Sequence, residues 1–157
     1  MPDMLVKLWD LREVEPMTRD LEKSGIVIRP ARASEKHRVV EWVRRTFGEG
    51  WASECDVAFA NRPISCWIAT EKGQIVGFSC YESTCRNYFG PMGVNEANRG
   101  RGIGRALSLA CLHAMARMGY AYAIIGAVGP ADFYATVAGA TLIEGASPGI
   151  HEDRLTE

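Results

Sequence analysis

The spacing of hydrophobic and polar residues changes several times along the chain, which predicts alternating strands and helices. The run "GIVIRPA" (25–31) is predicted to be a strand. "MLVKLWDL" (4–11) fits a short strand, and the polar stretch between the two fits either helix or loop. Apolar residues at helical spacing predict a helix that begins at Ser34, its N-cap, and ends at Phe47. "WASECDVAFANRP" predicts a shorter helix that Pro63 ends.

The second half of the chain begins with a hairpin signal. "SCWIATEKGQIVGFSCYES" (65–83) has two β-rich runs around Lys72 and Gly73. "NYFGPMGV" (87–94) predicts a third strand, in which Gly90 and Pro91 indicate a bulge or a splay.

A long amphipathic helix follows and is expected to end at Gly119. The apolar run "YAYAIIGAV" (120–128) is typical of a strand buried on both faces, so the preceding helix is a crossover between parallel strands. "PADFYATVAG" predicts another short helix, and "ATLIEG" a last strand. Together these elements predict an α+β fold in which an antiparallel meander leads into a β-α-β unit.

Composition limits the class of protein. With 157 residues and 47% hydrophobic content, the chain has the material for one globular domain. A formal net charge of -1 gives it no overall attraction to nucleic acid or to an anionic membrane. Apolar runs stay well below the roughly 18 residues of a membrane span, and the first residues lack the pattern of a secretory signal. We therefore expect a cytoplasmic protein.

The five cysteines form no CxxC pair, which disfavours both a disulfide framework and a zinc knuckle. We expect reduced thiols and no bound metal. Cys66 and Cys80 lie in apolar strands, where cysteine acts as a small hydrophobic residue. A catalytic cysteine is disfavoured because the pattern ties none of the three histidines to one. The cysteines are Cys55, Cys66, Cys80, Cys85 and Cys111, and the histidines are His37, His113 and His151.

Glycines and arginines are concentrated where the long helix begins, in "NRGRGIGRA" (98–106). Free amide groups and the positive end of the helix dipole make such a start an anion site. Each contact contributes about 0.3 to 2 kcal/mol, so several amides together can hold a diphosphate. Arg99, Arg101 and Arg105 add positive charge. The alternative is a glycine turn that only lets the chain pack closely.

Two common phosphate-binding motifs do not fit this segment. A Walker A loop needs a lysine that is absent here, and a dinucleotide fold needs Gly-x-Gly-x-x-Gly followed by an acidic residue. The segment does match Arg/Gln-x-x-Gly-x-Gly/Ala, at Arg99, Gly102 and Gly104. With the order of elements over 26–145 and the segment "FYATVAGA" (133–140), the sequence resembles the GCN5-related N-acetyltransferase (GNAT) superfamily.

The resemblance implies a single GNAT-like domain over residues 1–157, with an N-terminal adjunct (1–25), a core (26–145) and a tail (146–157). It implies a three-layer α/β/α fold whose central sheet is mixed, mostly antiparallel, and splayed at the cofactor site. The implied activity is direct transfer of an acetyl group from acetyl-CoA to a primary amine of a small molecule or a protein.

The resemblance also implies which residues contact the cofactor. The splayed strand would pair its backbone with the pantetheine arm, and the turn would hold the pyrophosphate. These residues are Met92, Gly93 and Val94 on the strand, and Arg99, Gly100, Arg101, Gly102, Ile103, Gly104 and Arg105 in the turn. Ala127 stands where related proteins often have an asparagine, so the sequence departs from the family pattern at one cofactor contact.

Acetyl transfer needs a neutral amine, a stabilised oxyanion and a proton for the leaving thiolate. Tyr134 matches the tyrosine that serves as the acid in this family. Glu82, at the end of a strand, is the candidate base, and a water chain is the alternative. Glu49 and Trp51 are the candidate acceptor-binding residues, in the loop between the first two predicted helices.

The sequence also allows two other functions. A non-catalytic module of the same fold would bind acyl-CoA without turnover. RNA binding through the arginines of "RGRG" is disfavoured by the net charge and the short basic run. The acceptor amine, the use of longer acyl groups, and the choice between monomer and homodimer also remain open.

Overall fold

A computed structural model describes residues 1–156 of the chain. It contains seven strands and five α-helices. The strands are β1 (Met4–Lys7), β2 (Ile26–Pro30), β3 (Cys66–Glu71), β4 (Gln74–Tyr81), β5 (Tyr88–Val94), β6 (Tyr122–Ile125) and β7 (Thr141–Leu142). The helices are α1 (Glu15–Lys23), α2 (Lys36–Phe47), α3 (Glu49–Ala60), α4 (Ile103–Arg117) and α5 (Ala131–Ala138).

All seven strands form one sheet in the order β2-β3-β4-β5-β6-β1-β7. Only β5 and β6 run parallel, and α4 connects them as the crossover. Every other neighbouring pair is antiparallel. The predicted α+β fold with a mixed, mostly antiparallel sheet is therefore confirmed.

Helices cover both faces of the sheet. On one face, α2 and α3 share an apolar core with β3 and β4 around Phe78. On the other face, α4 packs with α1 near Ile103 and Leu107, and with α5 near Leu112 and Tyr134. Because α4 is covered by the sheet and by both of these helices, ten of its fifteen residues are buried. This packing holds the glycine-rich start of α4 in a fixed position.

The observed helix bounds correct the predicted start of α2. Ser34 lies in a short 3-10 turn and does not cap the helix, which begins at Lys36. The Glu35 carboxylate organises this turn instead. It accepts the backbone N–H of Arg32 at 2.8 Å and pairs with the Arg29 guanidinium at 2.5 and 3.0 Å. The polar stretch between the first two predicted strands, whose pattern fits either helix or loop, forms the helix α1.

The N-terminal strand lies inside the sheet. β1 pairs with β6 on one side and with the two-residue strand β7 on the other. Just before β1, the Asp3 carboxylate accepts the backbone N–H of Ala127 at 2.8 Å, and the N–H of Val128 bonds to the carbonyl of Pro2 at 2.8 Å. The first residues are thus fixed against the loop between β6 and α5.

No helix within residues 1–156 combines the length and the apolar character needed to cross a membrane. All five cysteines are free thiols, and four of them are buried.

Candidate functional site

The sheet opens between the two parallel strands. β5 and β6 pair at only two positions, Tyr88 with Ile124 and Phe89 with Ile125. Opposite the Gly90–Pro91 step, the register between β4 and β5 shifts. The bulge or splay that the sequence predicts therefore occurs here, and β5 continues beyond Phe89 without a partner on the β6 side.

The unpaired edge of β5 presents backbone groups to this gap. The N–H of Asn95 bonds to the carbonyl of Val76 at 2.8 Å, so Asn95 faces β4. Because backbone groups alternate in direction along a strand, those of Gly93 also face β4, and those of Met92 and Val94 face the gap. Arg99 Nε donates to the Val94 carbonyl at 3.4 Å. The Met92 groups and the Val94 amide remain available to a ligand.

The N-terminus of α4 lies beside this edge. Its first backbone hydrogen bond runs from the N–H of Ala106 to the carbonyl of Gly102 at 3.1 Å, and no side chain caps the helix. The amides of Ile103, Gly104 and Arg105 therefore have no partner within the helix, which makes this end an anion site.

Gly100 and Gly102 serve the turn through their backbone conformation. Their φ angles are +80° and +85°, in the left-handed region that favours glycine, and an added Cβ at either would meet open space. At Gly93, by contrast, an added Cβ would clash with the Phe47 ring.

A cavity of about 670 Å³ lies between β5 and the start of α4, and we call it the loop-side cavity. Nine of the ten predicted cofactor-binding residues line it: Met92, Gly93, Val94, Arg99, Gly100, Gly102, Ile103, Gly104 and Arg105. The exception is Arg101, whose guanidinium pairs with the Glu71 carboxylate at 3.1 Å.

A second cavity, of about 600 Å³, lies on the other side of Met92, and we call it the tyrosine-side cavity. Tyr134 and Glu54 line it. Trp51, Met92 and Pro130 line both cavities, so the two adjoin. The arrangement offers one long cleft with an anion site at one end and a tyrosine and a carboxylate at the other.

Tyr134 lies in the wall of the tyrosine-side cavity and is only 6% exposed. Its ring packs edge-on against Phe133 and Phe89, with centroids 4.9 and 5.8 Å away. Burial, and secondarily the proximity of the Cys111 thiol, raise the pKa of Tyr134 well above the ordinary tyrosine value. The phenol therefore stays protonated at neutral pH and can donate a hydrogen bond into the cleft.

Glu54 is the carboxylate that the fold brings to the cleft. It lies on α3, lines the tyrosine-side cavity, and accepts a hydrogen bond from the Thr84 hydroxyl at 2.5 Å. Sequence alone does not distinguish Glu54 from the neighbouring carboxylates, because its contact with Thr84 joins residues thirty positions apart. Trp51, one turn earlier on α3, lines the same cavity as predicted.

Two of the predicted site residues lie elsewhere. Glu82 lines neither cavity, and its carboxylate accepts the backbone N–H of Asn87 at 2.7 Å within the turn between β4 and β5. Glu49 also lines neither cavity and pairs with Arg44 at 3.0 Å on the surface. Their local backbone and ion-pair contacts account for both side chains.

The loop after β6 is held by the N-terminus of the chain. Ala127 has a φ of +47° and donates its N–H to the Asp3 carboxylate at 2.8 Å. The sequence does not indicate this contact, because Asp3 and Ala127 lie 124 positions apart. His151 and Arg154 of the tail also line the tyrosine-side cavity, so the tail covers part of it.

Comparison with known proteins agrees with this geometry. Residues 62–137 match the family model described as an acetyltransferase (GNAT) domain. The matched segment contains β5, the start of α4 and Tyr134, whereas Trp51 and Glu54 lie outside it. The resemblance to the GNAT superfamily is therefore confirmed over this segment.

Solved structures show the same fold. The glucosamine N-acetyltransferase region of a fungal multi-domain β-N-acetylglucosaminidase superposes with a TM-score of 0.73 at 17% identity, over 90% of this chain and 19% of that one. A GCN5-related N-acetyltransferase from Sphaerobacter thermophilus gives a TM-score of 0.69 at 20% identity, over 90% of this chain and 48% of that one. This chain thus spans less than half of either protein. No curated protein sequence matches it.

Proposed function

We propose that this protein is an N-acetyltransferase that moves an acetyl group from acetyl-CoA directly to the primary amine of a small molecule or a protein. The observation that carries the proposal is the continuity of the cleft. An uncapped helix N-terminus lies at one end, an unpaired strand edge along the middle, and Tyr134 at the other end. Phosphates, an amide-bearing arm and a thioester follow one another in the same order along acetyl-CoA.

The start of α4 fits the diphosphate. The amides of Ile103, Gly104 and Arg105 have no partner within the helix, and the helix dipole adds positive potential there. The Arg105 side chain lines the same cavity and adds charge, whereas Arg101 is held by Glu71. We assign the phosphate contacts to these amides and to Arg105.

The edge of β5 fits the pantetheine arm. That arm carries two amides, and a strand edge with free N–H and C=O groups binds amide chains by strand addition. The backbone groups of Met92 and the N–H of Val94 face the gap. Such a pairing would aim the thioester at the point where the two cavities adjoin.

We assign Tyr134 a role in the departure of the thiolate. A CoA-type thiol has a pKa of about 8.5, and an ordinary tyrosine about 10. Since burial raises the pKa of Tyr134 further, complete proton transfer to the thiolate is uphill. We therefore assign Tyr134 the task of stabilising the developing thiolate by a hydrogen bond as the carbon–sulfur bond breaks.

The acceptor has to lose a proton. An alkylammonium with a pKa near 10.4 is neutral in only about 0.04% of molecules at pH 7, which corresponds to about 4.6 kcal/mol. Glu54 replaces Glu82 in our assignment, because it lines the cavity that the amine would enter. It would bind the ammonium and accept its proton, either directly or through water. We also propose a cytoplasmic location, as expected from the sequence.

Release of free CoA thiol from acetyl-CoA in the presence of a panel of amines tests this function. We expect release with at least one amine. Tyr134→Phe should lower turnover by about 100-fold without weakening CoA binding. Tyr120→Phe, at a tyrosine outside both cavities, is the control. CoA binding with no thiol release for any amine would favour the non-catalytic module instead.

The pH profile supplies a second readout. Because the pKa of Tyr134 is raised, its protonated form persists beyond the range where an ordinary tyrosine ionises. The rate should therefore show no decline assignable to Tyr134 up to about pH 10. A decline that begins near pH 8 and disappears in Tyr134→Phe would contradict the assignment.

A further inference from the structure

Three cysteines meet on the face of the sheet opposite α4, away from the cleft. The sulfur atoms of Cys55, Cys66 and Cys80 all lie within 4.8 Å of one another, and all three residues are 0% exposed. We call them the cysteine cluster. The sequence predicted separate buried thiols, since two strands and a helix bring them together only in the fold.

The backbone accounts for this convergence. Cys66 on β3 is directly opposite Cys80 on β4. The adjacent pair is hydrogen-bonded from the N–H of Tyr81 to the carbonyl of Ser65, so Cys66 and Cys80 occupy a non-hydrogen-bonded position, where side chains are closest. Cys55 lies on the buried side of α3 and points onto the pair from above.

The surroundings of the cluster are apolar. Its neighbours include Val43, Ala52 and Phe78, and the core that contains it has no buried cation. The proximity of the thiols affects their acidity: Cys66 and Cys80 lower the pKa of Cys55, while the pKa values of Cys66 and Cys80 are raised. A ligand of this cluster has to be thiophilic, three-coordinate and acceptable to an uncharged interior.

Charge selects among thiophilic ligands. Three thiolates around a monovalent ion leave two negative charges, and around a divalent ion they leave one, with no cation to offset either. Zinc also prefers four ligands, and the cluster supplies three. A trivalent centre with three thiolates is neutral. Trivalent arsenic forms three bonds to sulfur and needs no fourth ligand.

We propose that the cysteine cluster binds trivalent arsenic, supplied as arsenous acid, through three arsenic–sulfur bonds. Three As–O bonds break and three As–S bonds form, with no change in oxidation state. Each thiol proton leaves with a departing hydroxyl as water, so that three molecules of water are released. Both arsenous acid and the product are uncharged, so neither pays the cost of burying a charge.

The bound centre would link α3 to the sheet. Cys55 belongs to the helix, and Cys66 and Cys80 belong to adjacent strands. Because only the folded chain holds the three sulfurs together, binding should stabilise the native state and raise the unfolding temperature. Entry requires α3 to lift locally from the sheet, so binding should be slow.

Titration of the fully reduced protein with sodium arsenite tests the proposal. Native mass spectrometry should show one arsenic per chain with the loss of three protons, and X-ray absorption should show three sulfur neighbours and no oxygen. Two sulfur neighbours, a retained oxygen, or no uptake by the wild-type protein would overturn it. Tighter binding of Zn²⁺ than of arsenite would also overturn it.

Variants locate the site. Cys55→Ala and Cys80→Ala should each weaken arsenite binding by at least tenfold, since each loses one of three linked bonds. Cys111→Ala is the matched control, because Cys111 is also fully buried but lies on α4 beside Ser79. Unchanged affinity in Cys55→Ala, or an equal loss in Cys111→Ala, would overturn the proposal. The wild-type absorption spectrum decides the question if a variant fails to fold.

Discussion

The two ends of the cleft are assembled from the chain in different ways. The loop-side cavity takes most of its lining from one continuous segment, 92–105, whereas the tyrosine-side cavity collects residues from parts of the chain as distant as Met1 and Arg154. A ligand held by backbone amides needs only a local turn of the right shape. A ligand chosen by side chains needs groups that the tertiary fold brings together.

This difference predicts that changes in the turn affect CoA and changes around Tyr134 affect the acceptor. In the proposed enzyme, the first class should alter CoA affinity with little effect on the choice of amine. The second should alter turnover with the amine and leave CoA affinity unchanged. A variant that altered both equally would show that the two ends are not separate.

The largest effect is expected from Gly102→Ala. An L-residue in the left-handed region costs about 1 to 2 kcal/mol, so the turn should relax and move its amides away from the phosphates. CoA affinity should fall by about fivefold to thirtyfold, as measured by calorimetry.

Gly25→Ala provides a matched control for this change. Gly25 has the same φ of +85°, and an added Cβ there also meets open space, but it follows α1 outside both cavities. Both variants should lose similar stability, and only Gly102→Ala should lose CoA affinity. Equal CoA affinities in the two variants would show that the turn does not contribute to CoA binding.

The next effect concerns the acceptor side. Glu54→Gln keeps the shape of the side chain but removes its charge and basicity, so kcat/KM for the amine should fall by about tenfold. CoA affinity should not change. Glu49→Gln is the exposed control, because Glu49 lies five residues earlier on the same helix, lines neither cavity and pairs with Arg44 on the surface. Equal kcat/KM values in both variants would show that the amine loses its proton to a water chain and not to Glu54.

The smallest effect on CoA binding is expected from substitutions of two arginines in the glycine-rich turn. Arg105 lines the loop-side cavity, whereas Arg101 pairs with Glu71 at 3.1 Å. Arg105→Ala should weaken CoA binding by about fivefold at low salt, and Arg101→Ala by less than twofold. The reverse order would show that Arg101 leaves Glu71 when CoA binds.

The same division explains what the sequence could predict. Nine cofactor-side residues were predicted from one glycine-rich turn and the strand end before it, because glycine spacing, a helix start and a strand end are local properties. Trp51 was predicted from its place near the junction of the first two predicted helices, and it lies in the first turn of α3. Glu82 was predicted for the cleft because it ends a strand. Its backbone has a positive φ of +58°, however, and its carboxylate accepts the N–H of Asn87, so the side chain lies in the turn between β4 and β5.

Long-range contacts account for the remaining differences. The hydrogen bond between Asp3 and Ala127 joins the segment before β1 to the loop after β6, and the hydrogen bond between Glu54 and Thr84 joins a helix to a loop. Neither leaves a periodic signal in the sequence. Composition likewise gave no indication that Cys55 would face a cross-strand pair.

The central claim is that backbone amides at the start of α4 hold the diphosphate of acetyl-CoA. Calorimetry that compares acetyl-CoA with S-acetylpantetheine, which carries the same thioester and arm but lacks the diphosphate and the adenosine part attached to it, tests it most directly. The account predicts one acetyl-CoA per chain, bound at least about 100-fold more tightly than S-acetylpantetheine, since several amide contacts contribute together. Equal affinities, or no uptake of acetyl-CoA by the folded protein, would contradict it.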